Sequence, residues 1–279
     1  LNTIKTFSLM IVLTVIFIVA GNLIAGDVGV QFAFVFAIVM NFGTYWFSDK
    51  LALKMTKSRP LSEEEAPWLY DMTRRLCERA NMPMPKLYLM DSPQPNAFAT
   101  GRNPKNGVVA VTSGLVRMMD REELEGVVAH ELAHIKNRDI LISTIAAVLA
   151  GALTMIAQMG RYRAMFGRGN RGGNAATAVV QILAVILAPI AALLVRSAIS
   201  RSREYEADKV GAEISGNPKG LASALMTLER GAQRAPMQVN EAASHMFIIN
   251  PLTRDQLSSM FSTHPPIKDR VARLEKLER

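Results

Sequence analysis

Two histidines four residues apart, with a glutamate directly after the first, occur in the stretch Val127 to Asp139, VVAHELAHIKNRD. His130, Glu131 and His134 therefore match H-E-x-x-H, the pattern of a zinc hydrolase. On an α-helix, positions i and i+4 lie on one face about a turn apart, so both imidazoles can point at a single ion. Glu131 projects about 100° round from His130, close enough to reach a water on that ion without becoming a ligand. The chemistry is hydrolysis: two neutral nitrogens help to hold zinc, and a carboxylate takes the proton of the attacking water.

A hydrolytic zinc usually takes three protein ligands and leaves the fourth position to water. The metzincin pattern H-E-x-x-H-x-x-G-x-x-H is excluded, because Asn137 stands at its glycine and Ile140 at its third histidine. His245, His264 and the acids of Arg201 to Gly211, RSREYEADKVG, remain as sources of the third ligand. In that last stretch Glu204 and Asp208 are spaced i, i+4 on a helix. One carboxylate can bind zinc while the next turn offers a second to a histidine N–H. Glu204 is read as the ligand and Asp208 as the outer carboxylate; Glu206 projects elsewhere, and His245 is read as an ordinary histidine. Closed structural zinc sites are dominated by cysteine. Cys77 is the only one here, which also excludes an intramolecular disulfide.

These residues need elements to carry them. Of 279 residues, 49% are hydrophobic and only 20% charged, a membrane-protein balance. The net charge of +8 comes without the basic and aromatic stripe of a groove reader, so nucleic acid is not an expected partner. Phe7 to Ala25 and Val28 to Phe47 are uncharged runs long enough to cross a bilayer, joined by Gly26 and Asp27. They read as a helical hairpin (1–48), not a signal peptide, since no convincing cleavage site follows the first run. Lys5 before it and Lys50, Lys54, Lys57 and Arg59 after it place both ends in the cytoplasm.

Residues 49–139 turn soluble. Ser62 with Glu65 resembles a capping box opening a helix to about Ala80; Lys86 to Met90 and Val108 to Thr112 read as strands; Asp120 with Glu123 caps the histidine helix. Ile140 to Met159 and Ala175 to Val195 are two further uncharged runs, a second hairpin (140–195) around an arginine-rich loop, Gly160 to Asn174. Charge bias alone would keep that loop inside, whereas two crossings put it outside; because His134 and Glu204 must share one zinc, 140–195 crosses twice or not at all, and two crossings are preferred over a shallow or re-entrant hairpin. The rest, 196–279, is charged and helical, with helices from Ser200 to Ile214, from Asn217 and Pro218, and from about Pro266 to Leu277. The two soluble stretches are expected to pack as one domain.

The chain resembles the HtpX group of bacterial membrane zinc metalloproteases, relatives of the CAAX prenyl endopeptidases. The resemblance spans the chain and rests on HELAHIKNRD (130–139), SREYEAD (202–208), PNAFATG (95–101) and STHPPIKDR (262–270). It implies one zinc per chain on His130, His134 and Glu204, with Glu131 as base, in agreement with the spacing. It further implies that Asn96 to Thr100 is a substrate-binding edge strand, with Asn96 in contact with substrate, and that His264 and Arg270 lie near the metal and stabilise the tetrahedral intermediate. The fold it implies is mainly α: four transmembrane helices plus an α+β, gluzincin-like domain with a small sheet. Its biology implies a multi-pass enzyme of the bacterial inner membrane, its site facing the cytoplasm, degrading damaged membrane proteins. Missing spans keep the prenyl-processing substrate from being transferred. The rival reading, a non-catalytic scaffold of the same fold, has no need of Glu131.

Overall fold

The computed structural model describes residues 2–147, 201–234, 241–249 and 265–278. Helix α1, Asn2–Met55, leaves helical geometry at Ala25 and Gly26, where Gly26 has φ 55° and ψ −138°. Glycine adopts that conformation without a Cβ penalty. The chain reverses there. Asn41 Nδ2 donates to Met10 O at 3.3 Å and to Thr14 Oγ1 at 2.9 Å, and the rings of Phe17 and Phe36 meet edge-on at 5.4 Å. A Cβ on Gly21 would lie 2.3 Å from Gly29 O, so the arms touch backbone to backbone next to the turn. This is a tight hairpin whose second arm, Ala25–Met55, is long and apolar enough to cross a membrane. Its large side chains face outward: Phe32 is 74% and Phe42 63% exposed.

The sheet has four strands among the described residues: β1 (Arg59–Pro60), β2 (Lys86–Met90), β3 (Ala97–Thr100) and β4 (Val108–Thr112), in the order β1-β2-β4-β3. Strand β4, VVAVT, is buried at every position, as befits a β-branched strand covered on both faces. It pairs in parallel with β2 and antiparallel with β3, which forms an edge. The 91–107 connection therefore contains a strand and a short 3-10 turn, Pro104–Asn106.

Helix α2 runs over Pro67–Ala80, starting five residues after Ser62. Ser62 and Glu65 do exchange hydrogen bonds, both 3.4 Å, but within a turn. Pro67 supplies a fixed φ for the first helical position, and it pushes the preceding Ala66 out of helical conformation, to φ −146° and ψ 63°. The short α3, Ser113–Met118, leads to α4, Arg121–Lys136. Here the capping box is complete: Glu123 N donates to Asp120 Oδ1 at 2.8 Å, and Asp120 N to Glu123 Oε2 at 3.4 Å. Glu123 also accepts from Ser223 and Thr227 of a later helix, at 2.6 and 2.9 Å, so the cap fixes tertiary position as well.

Downstream lie α5 (Arg201–Ser215), α6 (Pro218–Arg234) and α7 (Ile267–Leu274). Asn217 caps α6 by accepting from Gly220 N at 3.0 Å. Helix α4 is the axis of the core. Its Leu124, Val127, Leu132 and Ile135 join Leu69 and Leu76 of α2 and Leu221, Leu225 and Leu228 of α6, all at most 1% exposed. Residues from Leu61 to Ile140 and from Ala207 to Leu274 thus share one core. Backbones approach closely at two glycines of this core: a Cβ on Gly126 would lie 2.6 Å from Leu221 N, and one on Gly211 2.9 Å from His130 Cα. After α4, Arg138 takes φ 59° and helical backbone resumes over 140–147. The remainder of the third apolar run, the arginine-rich loop and the fourth run lie outside the described residues, as does His264.

Candidate active site

His130 and His134 stand on successive turns of α4 with their Nε2 atoms 3.2 Å apart and their rings at 88°. Glu204 enters from α5: Oε1 is 3.6 Å from His134 Nε2, and Oε2 is 3.9 Å from His130 Nε2. Ligand atoms of these three residues lie within 4.8 Å of one another, the one such His/Cys/Asp/Glu group found among the described residues. Glu204, Asp208 and Gly211 follow i, i+4, i+7 and share a helix face. The missing side chain at Gly211 is what lets that face lie against the backbone of His130.

Each imidazole is held from behind by a carboxylate. Asp208 Oδ1 is 3.0 Å from His130 Nδ1, and Asp139 Oδ2 is 3.3 Å from His134 Nδ1. Occupying Nδ1 in this way fixes the ring and leaves Nε2 facing the centre. Asp139 was not anticipated as a partner. Its approach depends on the left-handed turn at Arg138, which returns the chain towards the ring of His134.

Arg270 lies beside the metal donors, its Nη2 3.5 Å from His130 Nε2 and its Nη1 3.8 Å from Glu204 Oε2. It is 0% exposed, donates from Nε and Nη2 to Asp208 Oδ2 and Oδ1 at 2.8 and 2.6 Å, and from Nη1 to Ile248 O at 3.0 Å. Its guanidinium is committed to the Asp208 carboxylate and flanks the ring of His130. That makes it a positioning residue: a bidentate ion pair that orients the carboxylate which orients His130.

Asn96 is also buried and committed. Its Nδ2 donates to Ile249 O at 3.1 Å, and its Oδ1 accepts from Ala97 N at 3.1 Å. Asn96 exchanges hydrogen bonds with Thr112, through Thr112 N to Asn96 O at 3.0 Å and Asn96 N to Thr112 Oγ1 at 2.9 Å. Alternation along an antiparallel pair then turns the N–H and C=O of Ala97 and Ala99 to the outer edge. Ala97 O is taken by Ile248 N at 3.0 Å, and Phe98 and Phe247 form a β-bridge with rings 5.1 Å apart. Segment 247–249 therefore straps one half of the edge. Ala99 lies on the other half, and its backbone N–H hydrogen-bonds Glu131. The cleft between them is lined by Ala99, Glu131, His134, Ile140, Met246 and Phe247. His245 stands on the 3-10 turn Glu241–Met246.

The electrostatics suit a cation at the centre. Burial pulls His130 down to about 4, which keeps it neutral and able to ligate. Burial opposes charge on His134 too, but Asp139, Glu204 and Glu131 outweigh it and push the ring up to about 9 in the metal-free protein. Burial raises Glu131 to about 7, with Glu204 acting in the same direction. A base poised near neutral pH can both accept and return a proton. Two convergent imidazole nitrogens, one buried carboxylate and a surround that favours positive charge fit a divalent metal.

Fold and site together define the class of a metallopeptidase: two histidines and a glutamate clustered so that they could hold a metal, with Glu131 buried beside them on the helix of the histidines. A sequence model of peptidase family M48 matches residues 63–278. The chain is 53% identical over 279 residues to the protease HtpX homolog of Pelotomaculum thermopropionicum, covering 99% of each protein. It is 52% identical to the protease HtpX homolog of Thermodesulfovibrio yellowstonii, covering 100% of this chain and 99% of the relative. The chain belongs to peptidase family M48, among its HtpX proteases. The crystal structure of S. mikatae Ste24p superposes with a TM-score of 0.52 at 19% identity, covering 98% of this chain and 65% of that one. That likeness is one of fold.

Proposed function

We propose that this chain is a membrane-anchored zinc endopeptidase that cleaves polypeptides embedded in or emerging from the bacterial inner membrane, serving the removal of damaged membrane proteins. The observation that carries the reading is how soon the apolar run follows α4, which bears His130, His134 and Glu131: after the short turn at 137–139, helical backbone resumes at Ile140, beside a hairpin whose apolar side chains face outward. A catalytic helix separated from an apolar segment by only three residues holds its site near the bilayer surface. The hairpin in α1 and the runs 140–159 and 175–195 make four crossings, with both soluble stretches in the cytoplasm by the distribution of Lys and Arg.

His130, His134 and Glu204 would hold the zinc, which when bound acidifies a water and polarises the scissile carbonyl. Glu131 accepts the proton of the attacking water on its carboxylate and returns it to the leaving nitrogen. The backbone N–H of Ala99 keeps that carboxylate aimed at the cleft. Asp208, fixed by Arg270, and Asp139 keep the two rings from turning. An extended substrate adds to β3 beside Ala99, the edge not covered by 247–249. Asn96 shapes that edge by holding Ile249, and His264 supplies the oxyanion donor.

Zinc content and casein cleavage of the purified full-length protein test this reading. One zinc per chain and cleavage abolished by a chelator and restored by zinc are expected. Cleavage that persists after the metal is stripped contradicts it.

A further inference from the structure

A second cavity, of about 150 Å³, lies where the hairpin meets the catalytic domain and is lined by Thr6, Phe7, Tyr45, Arg102, Arg138 and Leu141, with Asn103 beside Arg102. Drug-sized ligands need about 300–1,000 Å³, so this space suits a small polar group. Its walls come from four places in the chain. Phe7 opens the first apolar run, Tyr45 lies two residues before the end of the second and Leu141 is the second residue of the third, which puts the cavity at the level where apolar segments end. Trp46, 42% exposed, and Tyr45 are the aromatic residues expected at a membrane interface.

Two arginines converge here from the catalytic domain. Arg102 lies over the Trp46 ring, its guanidinium carbon 4.6 Å from the centroid, which aligns the plane of the group. Among the described residues its guanidinium makes one hydrogen bond, from Nη2 to Asn106 Oδ1 at 3.4 Å. Arg138 comes from the left-handed turn at φ 59°. Among the described residues neither arginine forms an ion pair with an acid. Asn103 and Tyr45 add neutral hydrogen-bonding groups to the same wall.

We propose that this cavity binds the phosphodiester headgroup of an anionic glycerophospholipid from the surrounding leaflet. The proposal rests on the membrane-anchored reading above. Planar guanidinium forks match phosphate oxygens, and basic pockets at the cytoplasmic ends of spanning helices hold anionic headgroups. Fitted between Arg102 and Arg138, the headgroup ties the hairpin to the turn that precedes Asp139. Since Asp139 sits 3.3 Å from His134, the lipid clamps the element that steadies one metal ligand.

The test uses the full-length protein in detergent, with native mass spectrometry after addition of phosphatidylglycerol or phosphatidylcholine of identical acyl chains. Wild type is expected to retain one phosphatidylglycerol in preference to phosphatidylcholine. The pair Arg102→Gln with Arg138→Gly is expected to weaken that retention about thirtyfold. Glycine adopts the Arg138 conformation freely, so the fold survives the change; an unchanged melting temperature checks this. Equal retention of both lipids by wild type, or an undiminished preference in the double variant, overturns the proposal. Displacement of phosphatidylglycerol by equimolar inorganic phosphate also overturns it, in favour of a free-anion site. Carbonate washing of cell membranes separates the two readings: protein that washes off defeats membrane anchoring, whereas protein that stays but shows no lipid preference defeats this proposal alone.

Discussion

Replacing Arg270 with methionine removes a charge that is 0% exposed and makes three hydrogen bonds of 2.6 to 3.0 Å. It strands Asp208, 2% exposed, with a single remaining partner in His130. Burial alone would raise Asp208, but Arg270 and His130 overcome it and hold the carboxyl down to about 2. That stabilisation is present above the unfolded value near 3.9 and is lost as pH falls through about 2. Breaking such a pair from one side costs about 3–5 kcal/mol. At ~2–4 °C per kcal/mol for a domain of 150–250 residues, the melting temperature should fall by roughly 6–20 °C. Zinc affinity should fall about 10–100-fold, because His130 loses a firmly held partner. Arg270→Met with Asp208→Leu should regain most of the stability, since no buried charge is left unpaired, while zinc affinity stays low. Thermal unfolding of zinc-free protein in detergent and a zinc competition titration read the two effects. A single variant that melts within about 2 °C of wild type, or a double variant whose losses simply add, refutes the assignment of Arg270 as a positioning residue.

Two further expectations follow from the same geometry. His134 up to about 9 and Glu131 up to about 7 both bind more protons folded than unfolded, so the metal-free protein should lose their contributions as pH rises, that of Glu131 from about 4.5 to 7 and that of His134 from about 6.5 to 9. Zinc must displace the proton of His134, so binding at pH 7 should release about one proton. Titration calorimetry in two buffers of different ionisation enthalpy measures that release, and none at pH 7 contradicts it. At Gly211, alanine would place Cβ 2.9 Å from the His130 backbone and force α5 away. A loss of about 1–3 kcal/mol is expected, with Glu204 withdrawn from the histidines; zinc affinity equal to that of wild type counts against the close crossing.

Much of the catalytic helix was legible because it is local. H-E-x-x-H and E-x-x-x-D each state which side chains share a helix face, and Asp120 with Glu123 states where α4 begins. Gly211 completes the E-x-x-x-D face at i+7, a signal readable from spacing once α5 is known to cross α4. Ser62 with Glu65 misled because Pro67, a stronger local constraint, moved the helix start. What escaped is tertiary. The reach of Asp139 to His134 depends on one left-handed residue, Arg138. The burial of Arg270 behind Asp208 depends on how α7 packs against α5. The strap at 247–249, some 150 residues beyond β3, is a long-range pairing that no period announces. The hairpin was readable from two uncharged runs and one glycine, whereas the crossings beyond residue 147 lie outside the described residues.

In the proposed mechanism Glu131 carries the proton beside the metal that His130, His134 and Glu204 would hold. Glu131→Gln preserves shape and burial, and glutamine cannot accept the proton. Zinc content and casein cleavage measured on the same purified preparation test this most directly. One zinc per chain, as in wild type, is expected, with cleavage reduced to the level of metal-free protein. A zinc-loaded Glu131→Gln protein that cleaves at the wild-type rate contradicts it.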